Sequence, residues 1–360
     1  MLDHHPGGAA ATGSASSPIV RVDRLRVDFQ TRDGAVSGVK DVSFDVRPGE
    51  TVCIVGESGS GKSVSSLSLM RLIEYGGGTI ARGALLFERG TGEVLDLASA
   101  DADTMRDIRG NEIGMIFQEP MTALNPVFTV GRQLTEGLRV HRGMSRTEAN
   151  ARALELMQQV RIPEPERRLR QYPHELSGGM RQRVVIAMAL ACKPRLLIAD
   201  EPTTALDVTI QAEILALMDR LKRETGTAVV FITHDMAVVA QMADRVVVMF
   251  RGNKVEEGTV QEIFEAPQHP YTKALLAAVP RLGEMADKPL PEPMRLLGQQ
   301  HKAPEPISGT DTPLLSVRNL TTRFPVKGGF FRRTLAHVHA VEDLSFTLNK
   351  GQTLSLVGES

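Results

Sequence analysis

The chain has 360 residues, of which 42% are hydrophobic and 24% are charged, so we expect a packed globular core and room for two domains. Its 42 basic and 43 acidic residues leave a net charge of −1, which gives no electrostatic signature of a nucleic-acid partner. The apolar runs are far shorter than the roughly 20 residues that a membrane-spanning helix needs, so contact with a membrane would go through a partner.

The first 18 residues are rich in Gly, Ala and Ser and lack the basic segment and apolar core of a signal peptide, so we predict a disordered leader over residues 1–18. Strands are predicted over residues 19–29 and 36–46. Phe29 ends the first of these strands, before a polar loop. Its ring could stack on an adenine. An ordinary core phenylalanine at a strand end would explain an aromatic residue at this position equally well.

A glycine-rich loop follows a buried strand predicted over residues 51–55 and precedes a helix predicted over residues 64–73. Strand, loop and helix in this order are the context of a phosphate-binding P-loop, which is favoured here over a chance glycine-rich turn. The backbone N–H groups would face a phosphate, Lys62 would approach the β- and γ-phosphates, and Ser63 would hold Mg²⁺. The predicted nucleotide-binding residues are Gly56, Glu57, Ser58, Gly59, Ser60, Gly61, Lys62 and Ser63.

Beyond the P-loop, strand-like and helix-like segments alternate, which is typical of a mostly parallel α/β sheet with its site at the carboxyl ends of the strands. The predicted strands cover residues 113–117, 195–199 and 228–233, with hairpins over 84–97 and 246–257. The predicted helices cover residues 129–142, 145–160, 181–192, about 210–221, and 271–279. Residues 282–313 are rich in Pro, Gly and Gln without periodicity and are predicted to be a linker.

Polar side chains stand where three of these strands end. Asp200 is placed to hold Mg²⁺, and Glu201 to act as general base on the attacking water. His234 could donate to a γ-phosphate oxygen, and Gln118 could reach Mg²⁺ or the water. Solvated carboxylates and a structural histidine are the alternatives, and the nearby P-loop favours the catalytic interpretation.

The segment that contains Ser177, Gly178 and Gly179 precedes a predicted helix. Each glycine costs ~1 kcal/mol in a helix relative to alanine, so the pair indicates a backbone that must approach a phosphate closely. Because the chain already has one P-loop for its own nucleotide, this segment is predicted to complete the site of another subunit.

The end of the chain repeats its beginning. Residues 338–360 align without a gap on residues 36–58, and residues 314–324 match residues 19–29. The second copy reaches Ser360 before any P-loop lysine, so we expect a truncated reading frame or a fragment rather than a designed partial domain.

Together these motifs resemble the ATP-binding subunits of ABC transporters. Residues 117–126, 172–177 and 269–272 resemble the peptide and nickel importers, and residues 324–341 resemble the start of the other ATPase subunit of such importers. Two different halves joined by a linker resemble the ATP-binding proteins of glutathione importers.

The resemblance implies an α/β P-loop NTPase fold of the ABC type, with a mixed sheet, an antiparallel β subdomain and an inserted helical subdomain at about residues 120–180. The first ATPase domain would span residues 19–281, the linker 282–313, and a truncated second domain 314–360. Some peptide-importer ATPases carry an iron–sulfur cluster in a cysteine-rich extension, and no cysteine follows Cys192, so no cluster is expected. Cys53 and Cys192 are predicted to be buried thiols in a reducing compartment.

The resemblance also implies a function, with ATP and Mg²⁺ as cofactors and Ser63, Gln118 and Asp200 as the metal-binding residues. Two ATPase domains would sandwich two ATP molecules, with Ser177 and Gly179 on the partner's nucleotide and Asp207 coupling the two sites. Residues 122–128 would contact two transmembrane permease subunits, and a periplasmic solute-binding protein would act indirectly. The chain would energise import of glutathione or of di- and oligopeptides from the cytoplasmic face of the bacterial inner membrane.

Three alternatives remain at this stage. A soluble ABC ATPase acting on nucleic acid or ribosomes would need a long coiled coil, zinc-binding cysteines or a charged helical linker, which the sequence lacks. A non-catalytic binding protein would not need the intact Lys62, Asp200, Glu201 and His234. An inactive truncated fragment of the importer ATPase is the third.

Overall fold

The computed structural model describes residues 17–32, 34–119, 123–204, 206–279, 312–328 and 333–358. The chain divides into two units, one up to Val279 and one from Pro280 onwards. The predicted leader and linker lie outside the described residues, apart from residues 17–18 and 312–313.

The first unit contains two sheets. Its strands in chain order are β1 (Val20–Thr31), β2 (Gly34–Val46), β3 (Thr51–Val55), β4 (Gly78–Glu88), β5 (Val94–Asp96), β6 (Ile113–Ile116), β7 (Leu196–Asp200), β8 (Ala228–Ile232), β9 (Arg245–Phe250) and β10 (Asn253–Thr259). An antiparallel sheet has the order β2-β1-β4-β5, and a six-stranded sheet has the order β10-β9-β3-β8-β7-β6. In the six-stranded sheet β9 and β10 are antiparallel and the other neighbours are parallel. The predicted mixed sheet and antiparallel β subdomain are therefore confirmed.

The described helices of the first unit are α1 (Lys62–Leu69), α2 (Ala102–Ile108), α3 (Val130–Arg142), α4 (Arg146–Gln159), α5 (Pro165–Arg168), α6 (Gly178–Leu190), α7 (Val208–Thr225), α8 (Met236–Met242), α9 (Val260–Glu265) and α10 (Pro270–Ala277). Short 3₁₀ helices cover Leu72–Gly76 and Pro173–Glu175. Among these described helices, none combines the length and the apolar content needed to cross a membrane.

The prediction of one helix over residues 64–73 was wrong at its carboxyl end. Helix α1 ends at Leu69, and Arg71 has a φ of 49°, a left-handed conformation that cannot continue an α-helix. A separate 3₁₀ helix follows. Helix α4 lies within the predicted range of residues 145–160. A capping box of Ser145 and Glu148 begins it, and Ala149, Ala153, Leu156 and Met157 are buried.

Strand β3 lies in the middle of the six-stranded sheet, between β8 and β9, and all five of its residues are buried. Side chains alternate across the sheet. Cys53 and Val55 therefore join the core formed with the helices, whereas Val52 and Ile54 join the core formed with the antiparallel sheet. This double burial explains the continuous apolar run before the P-loop and fixes the position from which the loop departs.

Where it is described, the second unit contains one antiparallel hairpin, made of β11 (Pro313–Gly328) and β12 (Arg333–Asn349). Residues 353–357 correspond to β3 in the sequence repeat but form no strand. In the first unit β3 is paired on both sides, with β8 and β9, and the described part of the second unit has no counterpart of those strands.

The sequence repeat extends to the details of the hairpin. In the first unit the amide of Arg24, at a φ of 47°, donates to Ser43 Oγ over 2.7 Å. In the second unit the amide of Asn319, at a φ of 50°, donates to Ser345 Oγ over 2.8 Å. The two hairpins therefore share the same local irregularity at equivalent positions, which supports the repeat in backbone conformation as well as in sequence.

Candidate functional site

The glycine-rich loop joins β3 to the amino terminus of α1. Gly56 has a φ of 148°, and a Cβ there would lie 2.1 Å from the carbonyl oxygen of Met249. Gly61 has a φ of 99°, and a Cβ there would lie 2.6 Å from the carbonyl oxygen of Gly38. Gly59 also has a positive φ of 78°, but its Cβ would meet open space. Backbone conformation and close packing thus both require glycine in this loop.

Lys62 begins α1 and folds back over the loop. Its Nζ donates to the carbonyl oxygens of Gly56 over 2.7 Å and of Glu57 over 2.9 Å. Burial lowers the pKa of Lys62, and the nearby carboxylates of Glu201, Asp200 and Glu57 oppose that shift. A cation held against a glycine-rich loop at a helix amino terminus suits the binding of phosphate oxygens.

Ser63 and Asp200 form a pair of oxygen donors beside the loop. Ser63 Oγ donates to Asp200 Oδ1 over 3.0 Å. Asp200 ends β7 and is buried, and burial raises the pKa of its carboxyl group above the ordinary range. A hydroxyl and a carboxylate are the hard donors that Mg²⁺ accepts, and Mg²⁺ typically takes its remaining ligands from phosphates and water. The residues present therefore fit the predicted metal.

Glu201 collects three side-chain hydrogen bonds. Gln118 Nε2 and Thr204 Oγ1 each donate to Glu201 Oε2 over 3.0 Å, and His234 Nδ1 lies 3.1 Å from Oε1, which as a carboxylate oxygen can only accept. Burial raises the pKa of Glu201, but these hydrogen bonds from His234 and Thr204, and the charges of His234 and Lys62, outweigh burial and hold the pKa below its ordinary value. The result is an ionised carboxylate with a fixed orientation.

Glu201 also has an unusual backbone. Its φ of 46° is left-handed, a conformation that costs non-glycine residues of order 1–3 kcal/mol, and its amide donates to the carbonyl oxygen of Ile232 over 3.0 Å. The turn directs Glu201 away from the strand that ends in Asp200. The two adjacent carboxylates therefore have separate partners, Ser63 for Asp200 and Gln118 with His234 for Glu201.

The predicted second phosphate-facing segment lies at the amino terminus of α6. Ser177 caps the helix by accepting from the amide of Met180 over 3.4 Å, and a Cβ on Gly178 would meet open space. A Cβ on Gly179 would lie 3.1 Å from Ile210 of α7, whose amide donates to Asp207 over 2.9 Å. The structure thus places Gly179 against the first turn of the helix that Asp207 caps and leaves Ser177 and Gly178 exposed.

Phe29 is half-buried near the carboxyl end of β1, which lies between β2 and β4 in the antiparallel sheet. Its ring covers Gly38 and Gly78, where a Cβ would lie 2.8 Å and 2.9 Å from ring atoms. One side of the ring therefore has a packing role. Stacking on an adenine stays a prediction.

Two residues that contact the site were not predicted from the sequence to belong to it. Thr204 donates to Glu201 from a position three residues later in the same turn. Tyr271 Oη accepts the amide hydrogen of Glu57 over 2.9 Å, from α10. Tyr271 lies within the segment that resembles peptide importers, but that resemblance gives no indication of a contact with the P-loop.

Comparisons with known proteins show the family to which the chain belongs. A model of the family "ABC transporter" matches residues 39–204. The chain is also similar to the solved structure of MJ0796, described as a dimeric post-hydrolysis state of an ATP-binding cassette bound to ADP and Pi. That similarity has 30% identity and a TM-score of 0.59, and it covers 67% of this chain and 98% of MJ0796.

The chain belongs to the ABC transporter family of ATP-binding cassettes. A second family model, "Oligopeptide/dipeptide transporter, C-terminal region", matches residues 255–305 of this cassette protein. The cassette is also similar to cbiO1 of Clostridium perfringens, part of the ABC transporter complex cbiONQ, with 27% identity, a TM-score of 0.57, and coverage of 69% of this chain and 91% of cbiO1.

Among curated proteins, the cassette is similar to the glutathione import ATP-binding protein GsiA. The identity is 53% with GsiA of Escherichia coli K12 and 55% with that of Pectobacterium atrosepticum, each over 348 residues and 95% of this chain. The chain spans 56% of the length of these relatives. The comparisons favour a transporter cassette over an ABC ATPase that acts on nucleic acid or ribosomes.

Proposed function

We propose that the chain binds and hydrolyses ATP to energise an ABC importer of glutathione or short peptides. The observation that carries the proposal is the arrangement at the ends of β7 and β8. The Ser63–Asp200 pair lies beside the P-loop, and the adjacent Glu201 is held by Gln118 and His234. A metal-binding pair and a separately oriented base next to a phosphate cradle are what phosphoryl transfer to water requires.

The loop and Lys62 bind and orient the phosphates of ATP. The glycine conformations allow backbone N–H groups to face the phosphates, and α1 adds the positive end of its dipole. Lys62 exchanges its present carbonyl partners for phosphate oxygens. Mg²⁺, held by Ser63 and Asp200, would neutralise part of the phosphate charge.

Glu201 accepts a proton from the attacking water. Its pKa lies below the ordinary value, so the carboxylate is ionised at neutral pH, and its donors leave it few orientations. A positioned general base contributes typically ~10²–10⁴-fold to the rate. His234 and Gln118 hold Glu201 and stand beside the place where the γ-phosphate and the water meet.

A second cassette completes the site. Ser177 and Gly178 are exposed at the start of α6, where a helix amino terminus can face a phosphate. Ser177, Gly178 and Gly179 reach the nucleotide held by the partner cassette, and Asp207, which caps the helix that faces Gly179, couples the two sites. The dimeric states described for MJ0796 support this arrangement.

The importer assignment and its substrate rest on the relatives. Both GsiA proteins are named for glutathione import, and the match over residues 255–305 is to a region of oligopeptide and dipeptide transporters. We infer two transmembrane permease subunits as partners, with a periplasmic solute-binding protein acting indirectly. The chain would then act as a peripheral subunit at the cytoplasmic face of the bacterial inner membrane.

Transport in proteoliposomes tests this function. The chain is assembled with permease subunits and a solute-binding protein of its own organism, and uptake of labelled glutathione and of a labelled dipeptide is measured with Mg-ATP. We expect ATP-dependent uptake with wild type and with the surface control Glu224→Gln, and loss of uptake with Glu201→Gln. Hydrolysis without uptake of either solute would contradict the importer assignment but not the ATPase.

A further inference from the structure

Tyr271 lies in the region matched by the oligopeptide/dipeptide transporter model, yet it contacts the P-loop. Its side chain is 2% exposed, and its Oη accepts the amide hydrogen of Glu57 over 2.9 Å. Glu57 is the second residue of the loop, 214 positions away in sequence. A region outside the ATP-binding cassette model, which matches residues 39–204, therefore touches the nucleotide site.

The hydroxyl of Tyr271 is held in place from two sides. The ring packs against Phe250 with a centroid distance of 4.3 Å and an interplanar angle of 32°. His269 caps α10, with Nδ1 accepting the amide of Tyr271 over 3.2 Å. The amides of Gln268 and His269 donate to Glu256 of β10 over 2.6 Å and 3.1 Å. Burial raises the pKa of Tyr271, so its hydroxyl stays neutral at physiological pH.

The N–H group that donates to Tyr271 Oη belongs to the peptide group between Gly56 and Glu57. The carbonyl oxygen of the same peptide group accepts from Lys62 Nζ over 2.7 Å. In a trans peptide the N–H and C=O point in opposite directions. Tyr271 thus holds one end of a peptide plane whose other end holds the P-loop lysine, and rotation of that plane would move both partners.

Two other contacts that support the loop from the carboxyl-terminal side come from the backbone. The carbonyl oxygen of Met249 lies against Gly56, and the amide of Gly252 donates to the carbonyl oxygen of Ser60 over 3.0 Å. Side-chain substitution does not remove these contacts. The Tyr271 contact, in contrast, depends on one oxygen atom that a conservative substitution deletes.

We propose that Tyr271 is a positioning residue for nucleotide binding, through which the carboxyl-terminal peptide-importer region orients the P-loop. The proposal rests on the ATPase function proposed above. Because the hydroxyl acts on the loop and not on the reacting atoms, it should favour bound ATP and the transition state equally. Its loss should therefore raise KM and leave kcat almost unchanged.

Steady-state ATP hydrolysis by the full chain over a range of ATP concentrations provides the test. Tyr271→Phe keeps the ring and deletes the hydroxyl, and Tyr75→Phe makes the same change at a tyrosine that is 82% exposed. We expect the KM for ATP to rise about tenfold in Tyr271→Phe with kcat within twofold of wild type, and no change in Tyr75→Phe. Thermal unfolding of each variant sets an assay temperature at which all are folded.

A wild-type KM in Tyr271→Phe would overturn the proposal while leaving the ATPase function intact. A fall in kcat with unchanged KM would also overturn it, because that is the result expected if loss of the hydroxyl only lowers the amount of folded enzyme. Absence of hydrolysis by wild type would instead overturn the proposed function.

Discussion

Removing the hydroxyl of Thr204 tests how the hydrogen bonds around Glu201 maintain it as a base. Thr204→Val keeps the side-chain shape and deletes one of the three donors, the 3.0 Å bond to Oε2. Gln118 remains on the same oxygen and His234 remains on the other. The substitution alters no formal charge, so an effect on Glu201 follows from the lost hydrogen bond.

The magnitude follows from the exposure of Thr204. A hydrogen bond to a charged group contributes ~1.5–3 kcal/mol, but Thr204 is exposed, so water can replace part of the lost bond. We therefore expect Thr204→Val to weaken the stabilisation of ionised Glu201 by about 1 kcal/mol. This corresponds to a roughly fivefold change in rate where protonation of Glu201 limits hydrolysis.

The direction follows from the pKa of Glu201, which the hydrogen bonds lower. Losing a donor raises that pKa, so Glu201 in the variant is protonated over a wider acidic range and cannot accept a proton there. We expect Thr204→Val to lose roughly fivefold in hydrolysis rate on the acid side of the pH profile and to recover as the pH rises.

Steady-state hydrolysis measured across the pH range checks this expectation. Thr147→Val, on the exposed side of α4, makes the same substitution away from the site and should match wild type at every pH. A uniform loss across the profile, or an unchanged profile, would refute the role given to Thr204.

Two further predictions concern buried groups. Burial raises the pKa of the thiols of Cys53 and Cys192, so neither should react with Ellman's reagent until the chain is denatured, and rapid labelling of the native chain would show that a thiol is accessible. Gly56→Ala should lower the unfolding temperature by several degrees and more than Gly59→Ala, because only the first Cβ meets a backbone oxygen, at 2.1 Å. Equal unfolding temperatures for the two variants would contradict the close packing at Gly56.

Much of the site could be predicted because its residues follow local rules. The glycines, Lys62 and Ser63 form one continuous segment between a strand and a helix. Gln118, Asp200 and His234 come at or just after the carboxyl ends of β6, β7 and β8, and parallel strands bring such positions to one edge of the sheet.

Other features depend on tertiary contacts that leave no local pattern. The hydrogen bond between Tyr271 and Glu57 joins residues 214 positions apart, and neither residue alone indicates this contact. Arg71, two residues after the end of α1, has a left-handed conformation although its neighbours are good helix formers. Helix propensity therefore predicted a longer helix. The repeat aligns residues 314–324 and 338–348 with predicted strands, and β11 and β12 cover them. Residues 353–357 form no strand, because a central strand requires neighbours.

The central claim is that the P-loop, Ser63 and Asp200 bind the nucleotide while Glu201 performs the hydrolytic step. The most direct test measures equilibrium ATP binding and single-turnover hydrolysis on the same preparations of wild type and Glu201→Gln. We predict similar affinities for ATP and a loss of hydrolysis of at least about 100-fold in the variant. Hydrolysis by Glu201→Gln at the wild-type rate would contradict the assignment of Glu201 as the base.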